Sequence, residues 1–173
     1  MERRLIAADS GSVAVCYHAP AVEIPGLPLL AALHGGTYTS EYFSVAGGPS
    51  GSFLDIAERN GFAVLTVDRP GYGESTLLPE EENTFARQAE ILDDVIAEAL
   101  DQWPAPGVVL VGHSIGGMIS LEIAAPHPRW PLAGVATSGN GARIPAGGAA
   151  EALGRLPLSG VVDLPVAERD AVM

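Results

Sequence analysis

A glycine-flanked serine is the group in this chain best suited to covalent chemistry. It lies in the stretch Gly112–Gly117 (GHSIGG), which follows the four apolar residues Val108–Val111. An apolar run that stops at a glycine is typical of a buried strand leading into a sharp turn. Such a turn holds the Ser114 hydroxyl at the end of the strand, and a helix beginning at Ile115 points its free N–H groups at the same place. The pattern predicts a nucleophile where developing negative charge is stabilised.

The elements that must position this serine alternate along the chain. Strands are predicted over Arg4–Ala8, Val13–His18, Leu29–Leu33, Phe62–Val67, Val108–Val111 and Leu132–Thr137, and helices over residues 53–57, 84–103 and 116–125. The first two strands are predicted to form an antiparallel hairpin. The later alternation predicts an α/β fold, a mainly parallel sheet with flanking helices, whose functional sites lie at the carboxyl ends of strands.

Composition excludes several function classes. The 173 residues suit one domain, and the formal net charge of -12 opposes binding to nucleic acid or to anionic lipid. No apolar run approaches the roughly 18 residues that span a bilayer, and no signal segment follows Met1, so no membrane association is expected. Cys16 is the single cysteine, which agrees with a reducing compartment. We therefore expect a cytoplasmic protein.

Two further motifs follow predicted strands. His34-Gly35-Gly36 resembles the oxyanion loop of the α/β-hydrolase superfamily, and Asp68–Ser75 resembles the turn after that family's fourth strand. Together with the serine turn, these motifs make the chain similar to the serine-nucleophile branch of the superfamily from Arg4 to about Thr137.

The resemblance implies a function and a site. Ser114 would be the nucleophile, and the backbone N–H groups of Gly36 and Ile115 would form the oxyanion hole. The substrate would be a small ester or similar acyl compound, hydrolysed through an acyl-serine intermediate. No cofactor is implied, and the four histidines and one cysteine give no metal set. A non-hydrolytic enzyme of the same fold, such as a cofactor-free haloperoxidase or a lyase, and a catalytically inactive remnant are the alternatives.

Other residues near these motifs receive supporting roles. By the same resemblance, His34 and His113 support the oxyanion loop and the serine turn. Asp68, from its residue type, caps or braces its own turn. Tyr38 and Phe43 either line a pocket or serve packing alone.

The acid and the histidine that would complete a catalytic triad are missing. In this fold both follow the serine in the chain, yet His127 is the sole later histidine, and a helix of that length puts it roughly 18 Å from Ser114. Asn140 stands near the place where an acid after the sixth strand would fall. We expect a chain truncated after that strand, with residues 1–140 a partial core and residues 141–173 the start of a cap or an irregular tail. Leu132–Thr137 would then be an exposed edge through which two copies could associate.

Overall fold

A computed structural model describes residues 1–45 and 50–141 of the chain. Within these ranges the strands are β1 Glu2–Ala8, β2 Gly11–His18, β3 Leu29–Leu33, β4 Val64–Val67, β5 Val108–His113 and β6 Leu132–Ser138. The α-helices are α1 Phe53–Arg59, α2 Phe85–Gln102 and α3 Ile115–Ala124, with short 3₁₀ helices over Ser40–Ser44 and Glu80–Glu82.

The strands form one mixed sheet in the order β1-β2-β4-β3-β5-β6. β1 and β2 pair as the predicted antiparallel hairpin, β2 pairs antiparallel with β4, and β4, β3, β5 and β6 are parallel. The α/β architecture with a mainly parallel sheet is therefore confirmed. β3 lies between two parallel neighbours, which explains why its sequence is continuously apolar.

The two faces of the sheet carry separate cores. Ala31 and Leu33 of β3 pack into the larger core, to which α2 and α3 contribute apolar side chains. Ala32, between them, faces the smaller core with Phe43 and Ala57 of the α1 side. Because successive strand residues point to opposite faces, β3 anchors both layers at once. Its carboxyl end is thereby fixed at Leu33, immediately before His34.

Several boundaries differ from the sequence prediction or fall outside the described residues. β4 begins at Val64 rather than Phe62, because the Phe62 N–H donates to the Ala57 carbonyl (3.0 Å) in the turn that ends α1. β6 pairs with β5 alone within the described ranges, and Val135 on it is 36% exposed. A short helix predicted over residues 148–156 lies outside the described residues, and the domain boundary after residue 140 stays a prediction. No helix in the described ranges has the length and apolarity needed to cross a membrane.

The first turn of α3 lies directly against the end of β3. A Cβ atom on Gly116 would stand 2.1 Å from the Leu33 carbonyl oxygen and 2.5 Å from that of His34. Gly116 is therefore required by the neighbouring strand. This contact fixes the start of α3 beside the loop that follows β3.

Replacing Gly116 should destabilise the fold through that contact. We expect Gly116→Ala to lower the free energy of unfolding by about 1–3 kcal/mol, the usual cost of forcing atoms into a packed site. Gly134→Ala is the matched control, since a Cβ there has no neighbour nearer than 3.9 Å, and it should change stability by less than about 0.5 kcal/mol. Urea unfolding followed by circular dichroism measures both. Equal stabilities for the two variants would contradict the described approach of β3 and α3.

Candidate active site

Ser114 occupies a strained backbone position between β5 and α3. Its φ of 52° and ψ of -121° lie outside the regions that non-glycine residues ordinarily adopt. Hydrogen bonds hold it there: the Ser114 N–H donates to the Ser138 carbonyl (2.8 Å), and the Ser114 carbonyl accepts from the Gly117 N–H (2.9 Å). The half-buried side chain makes no hydrogen bond with any residue in the described ranges. The result is a serine whose backbone is held at the carboxyl end of β5 and whose hydroxyl is not used by another described residue.

Close backbone packing explains the glycines around this turn. A Cβ atom on Gly112 would stand 2.4 Å from the Gly117 Cα, so the strand and the helix could not approach each other with any other residue there. A Cβ on Gly117 would stand 2.2 Å from the Asn140 side-chain oxygen. Glycine at positions 112 and 117 is thus required by the backbone path.

Asn140, where an acid was considered, holds the serine turn instead. Its Nδ2 donates to the Ser114 carbonyl (2.8 Å), and this direction is fixed because a carbonyl oxygen can only accept. Its Oδ1 is buried and has no hydrogen-bond partner among the described residues. Asn140 therefore stabilises the backbone of the serine turn. As an amide, it does not supply the carboxylate that would orient a catalytic histidine.

The loop after β3 brings Gly36 beside Ile115. A Cβ on Gly35 would lie 3.2 Å from the Ser114 Cβ, and one on Gly36 would lie 3.2 Å from the Ile115 side chain. Within the described part of the chain, neither the Gly36 N–H nor the Ile115 N–H donates to a protein acceptor. Two unused backbone donors next to a serine hydroxyl are what an oxyanion requires.

His34 is fully buried and neutral. Its Nδ1–H donates to the Gly35 carbonyl (2.8 Å), and its Nε2 accepts from the Arg69 N–H (3.1 Å). Burial lowers the pKa of His34 from 6.5 to about 4, with the nearby Arg69 charge acting in the same direction and the bond to Gly35 opposing it. Both ring nitrogens are therefore committed to backbone groups of the loop.

The other three histidines likewise make no hydrogen bond to the Ser114 hydroxyl within the described residues. His113 places Nδ1 3.0 Å from the Ser138 hydroxyl and stacks on Tyr42 with ring centroids 4.8 Å apart. His18 on β2 contacts Thr66 (3.3 Å), and burial lowers its pKa. His127 lies beyond the end of α3. Among the described residues, no three or more His, Cys, Asp or Glu side chains come close enough to hold a metal ion.

Asp68 joins its own turn to the loop after β3. Its buried carboxylate accepts from the Ser40 N–H (2.7 Å) of the loop after β3, and the Arg3 guanidinium lies 3.5 Å away. The turn after β4 is braced by the Ser75 hydroxyl, which donates to the Asp68 carbonyl (2.6 Å). The carboxylate also packs against its own turn, where it fills the space that a Cβ atom on Gly73 would need, so Asp68 contacts both that turn and the loop after β3.

Aromatic residues of the same loop have separate surroundings. Phe43 is 4% exposed and belongs to the α1-side core, so it serves packing, whereas Tyr38 is 48% exposed. Tyr42 stacks on His113 next to the serine. No periodic pattern marks Tyr42, since it lies on a single 3₁₀ turn.

The buried neutral His34 makes stability depend on pH. Its pKa is lower in the folded chain (about 4) than in an unfolded one (6.5), so the unfolded chain binds the extra proton between these values. The contribution of a neutral His34 to the free energy of unfolding is fully present above pH 6.5. The free energy of unfolding should fall by about 3 kcal/mol as the pH drops to 4. In His34→Gln this part of the pH dependence should be absent. Urea unfolding of both proteins between pH 4 and 7.5 measures the difference, and parallel curves would contradict the assignment.

Comparisons with known proteins agree with this geometry. The family model described as "Alpha/beta hydrolase family" matches residues 30–171. The alpha/beta hydrolase ucsC of Acremonium sp is 31% identical over 127 residues, covering 63% of this chain and 25% of that protein. Protein phosphatase methylesterase 1 of Mus musculus is 29% identical over 98 residues, covering 57% and 24%.

A solved structure shows the same fold. A thermostable carboxyl esterase from Bacillus coagulans superimposes with a TM-score of 0.67 at 20% identity, covering 88% of this chain and 48% of that one. The chain thus spans about a quarter of the two curated relatives and under half of the solved structure. The family match, the sheet order and the serine turn agree, and the chain belongs to the alpha/beta hydrolase family.

Proposed function

We propose that this chain carries the nucleophile and the oxyanion hole of a serine hydrolase that acts on an ester or similar acyl substrate. The observation that supports the proposal is the Ser114 hydroxyl, held by a positive φ beside the unused N–H groups of Gly36 and Ile115. A structural serine in a turn requires neither the strain nor the free donors. Strain of this kind persists where the surroundings enforce it, as at active sites.

The chemistry proceeds in two acyl transfers. The Ser114 Oγ bonds to the substrate carbonyl carbon, whose oxygen becomes an anion between the Gly36 and Ile115 N–H groups. The anion collapses, the bond to the leaving alkoxide breaks, and the proton from Ser114 goes to that alkoxide. Water then attacks the carbonyl carbon of the acyl-serine. The bond between that carbon and Ser114 Oγ breaks, a proton from the water restores the hydroxyl, and the carboxylic acid leaves. Each oxyanion donor typically contributes about 2.7–4 kcal/mol to such steps.

A base must remove the Ser114 proton, because a serine hydroxyl is a weak nucleophile by itself. None of the four histidines is hydrogen-bonded to Ser114 within the described residues. The described site therefore supplies anion stabilisation without an activating base. The name of the mouse relative, a methylesterase, supports ester chemistry for the whole protein.

Covalent labelling tests the nucleophile. An alkyl fluorophosphonate should modify Ser114 slowly, and added imidazole should accelerate the reaction because it can accept the hydroxyl proton from solution. Ser114→Ala should abolish the labelling, whereas Ser44→Ala, which removes an exposed serine of the loop after β3, should leave it unchanged. Intact mass spectrometry with peptide mapping measures the adduct. Labelling that survives in Ser114→Ala, or a folded wild type that never labels, would refute the proposed nucleophile.

Steady-state turnover tests whether the described residues can activate Ser114. This chain should hydrolyse p-nitrophenyl acetate close to the buffer background, since a site without its triad partners retains at most about 10³–10⁴-fold acceleration over water. Absorbance at the nitrophenolate band measures the rate. Fast turnover that disappears in Ser114→Ala would show that the described residues do activate the serine.

A further inference from the structure

Arg69 is a buried cation next to the loop that carries Gly36. Its residue is 2% exposed, and its guanidinium donates from Nε to the His34 carbonyl (2.9 Å) and from Nη2 to the Gly35 carbonyl (3.0 Å). Nη1 donates to the Gln88 side chain on α2 (2.9 Å). The Tyr72 ring covers the guanidinium at 4.6 Å from its centroid. The planar fork thus spans two consecutive carbonyls of the loop after β3.

Every one of these partners is neutral. No carboxylate in the described ranges lies within ion-pair distance of Arg69, although an arginine stays charged at any ordinary pH. Burying a charge without an ion pair is expensive, and burial accordingly lowers the pKa of Arg69. Three hydrogen bonds and the aromatic face offset part of this cost. An apolar side chain at position 69 would be enough for packing. The burial of the Arg69 charge therefore needs another explanation.

The Gly35 carbonyl gives that explanation, because it shares a peptide unit with the Gly36 N–H. The carbonyl accepts two hydrogen bonds, from Arg69 Nη2 and from His34 Nδ1. All described peptide bonds are trans, so the N–H of this unit points away from the guanidinium. Hydrogen bonds to the oxygen of a peptide also polarise its N–H and strengthen it as a donor.

We propose that Arg69 is a positioning residue for the oxyanion hole, acting through the Gly35–Gly36 peptide. Its fork fixes the Gly35 carbonyl, directs the Gly36 N–H toward the Ser114 side of the loop, and makes that N–H a stronger donor to an anion. Arg69 itself touches neither substrate nor reacting atoms. The inference rests on the proposed function, in which the Gly36 N–H binds the oxyanion.

Labelling rates and the Gly36 amide signal test the inference together. The probe is the alkyl fluorophosphonate with imidazole, applied to wild type, Arg69→Met, Arg69→Lys and Arg87→Met. Loss of one oxyanion donor costs about 10²–10³-fold, so weakening it in Arg69→Met should slow labelling on the order of 10–100-fold. Arg69→Lys keeps the charge but cannot bridge two carbonyls, and it should remain slowed about 10-fold or more.

Arg87→Met is the matched control, because this arginine of α2 pairs with the exposed acids Asp9 and Glu90 and should not affect the rate. In the unlabelled proteins, the Gly36 amide proton should move upfield in both Arg69 variants and stay in place in the control, as ¹⁵N–¹H spectra show. This signal does not require labelling, so it tests Arg69 even if the proposed nucleophile fails.

The outcomes are distinct. Slowed labelling with a shifted Gly36 signal in a folded Arg69 variant supports the proposal. If Arg69→Met does not fold, Arg69→Lys decides by the same two measurements. A folded variant with the wild-type rate and an unmoved Gly36 signal overturns it. A wild type that never labels refutes the proposed function, and the amide signal still decides whether Arg69 controls the peptide.

Discussion

The contact between the end of β3 and the first turn of α3 is the constraint on which the rest of the site depends. The Leu33 and His34 carbonyls occupy space that a side chain at position 116 would need, and Gly35 packs on Ser114 in the same way. Because β3 is buried on both faces, this end of the strand cannot move aside. The serine turn therefore packs against a strand end that cannot shift. Contacts from outside the turn thus hold Ser114 at its positive φ. The strain is compensated by the packing of the whole sheet.

Much of this arrangement could be predicted from sequence because its signals are local or strongly periodic. The continuous apolar run of β3, the spacing of apolar residues in α2 and the glycines around Ser114 each have one dominant physical reason. The carboxyl ends of parallel strands share one edge, so β3 and β5 alone place Gly36 near Ile115. The predicted start of β4 is wrong because two segments compete for one residue: Phe62 joins the turn after α1 instead of extending β4.

The interactions that hold the site together left no such signal. Arg69 follows an acid in a glycine-rich turn, where an arginine is ordinarily exposed, and only the fold brings it to carbonyls some 35 positions earlier in the chain. Asn140 and Tyr42 are similar cases, since each acts on a residue that is distant in sequence through a single hydrogen bond or ring contact. Side-chain to backbone contacts of this kind have no period and no fixed spacing. They become visible when strand order and register are known.

The same contacts explain why His34 leaves the backbone donors of Gly36 and Ile115 free but does not itself act as a base. A general base needs a free nitrogen and a pKa near the working pH, and His34 has neither: one nitrogen accepts from Arg69, the other donates to Gly35, and its pKa is about 4. Protonating His34 would place a second positive charge beside Arg69 and remove the acceptor that holds the turn after β4. The hydrogen bonds that join the loop after β3 to the turn after β4 thus require a neutral His34. In the proposed function, anion stabilisation and proton removal must accordingly be assigned to different residues, and the ends of β3, β4 and β5 hold the groups proposed for the first of these tasks.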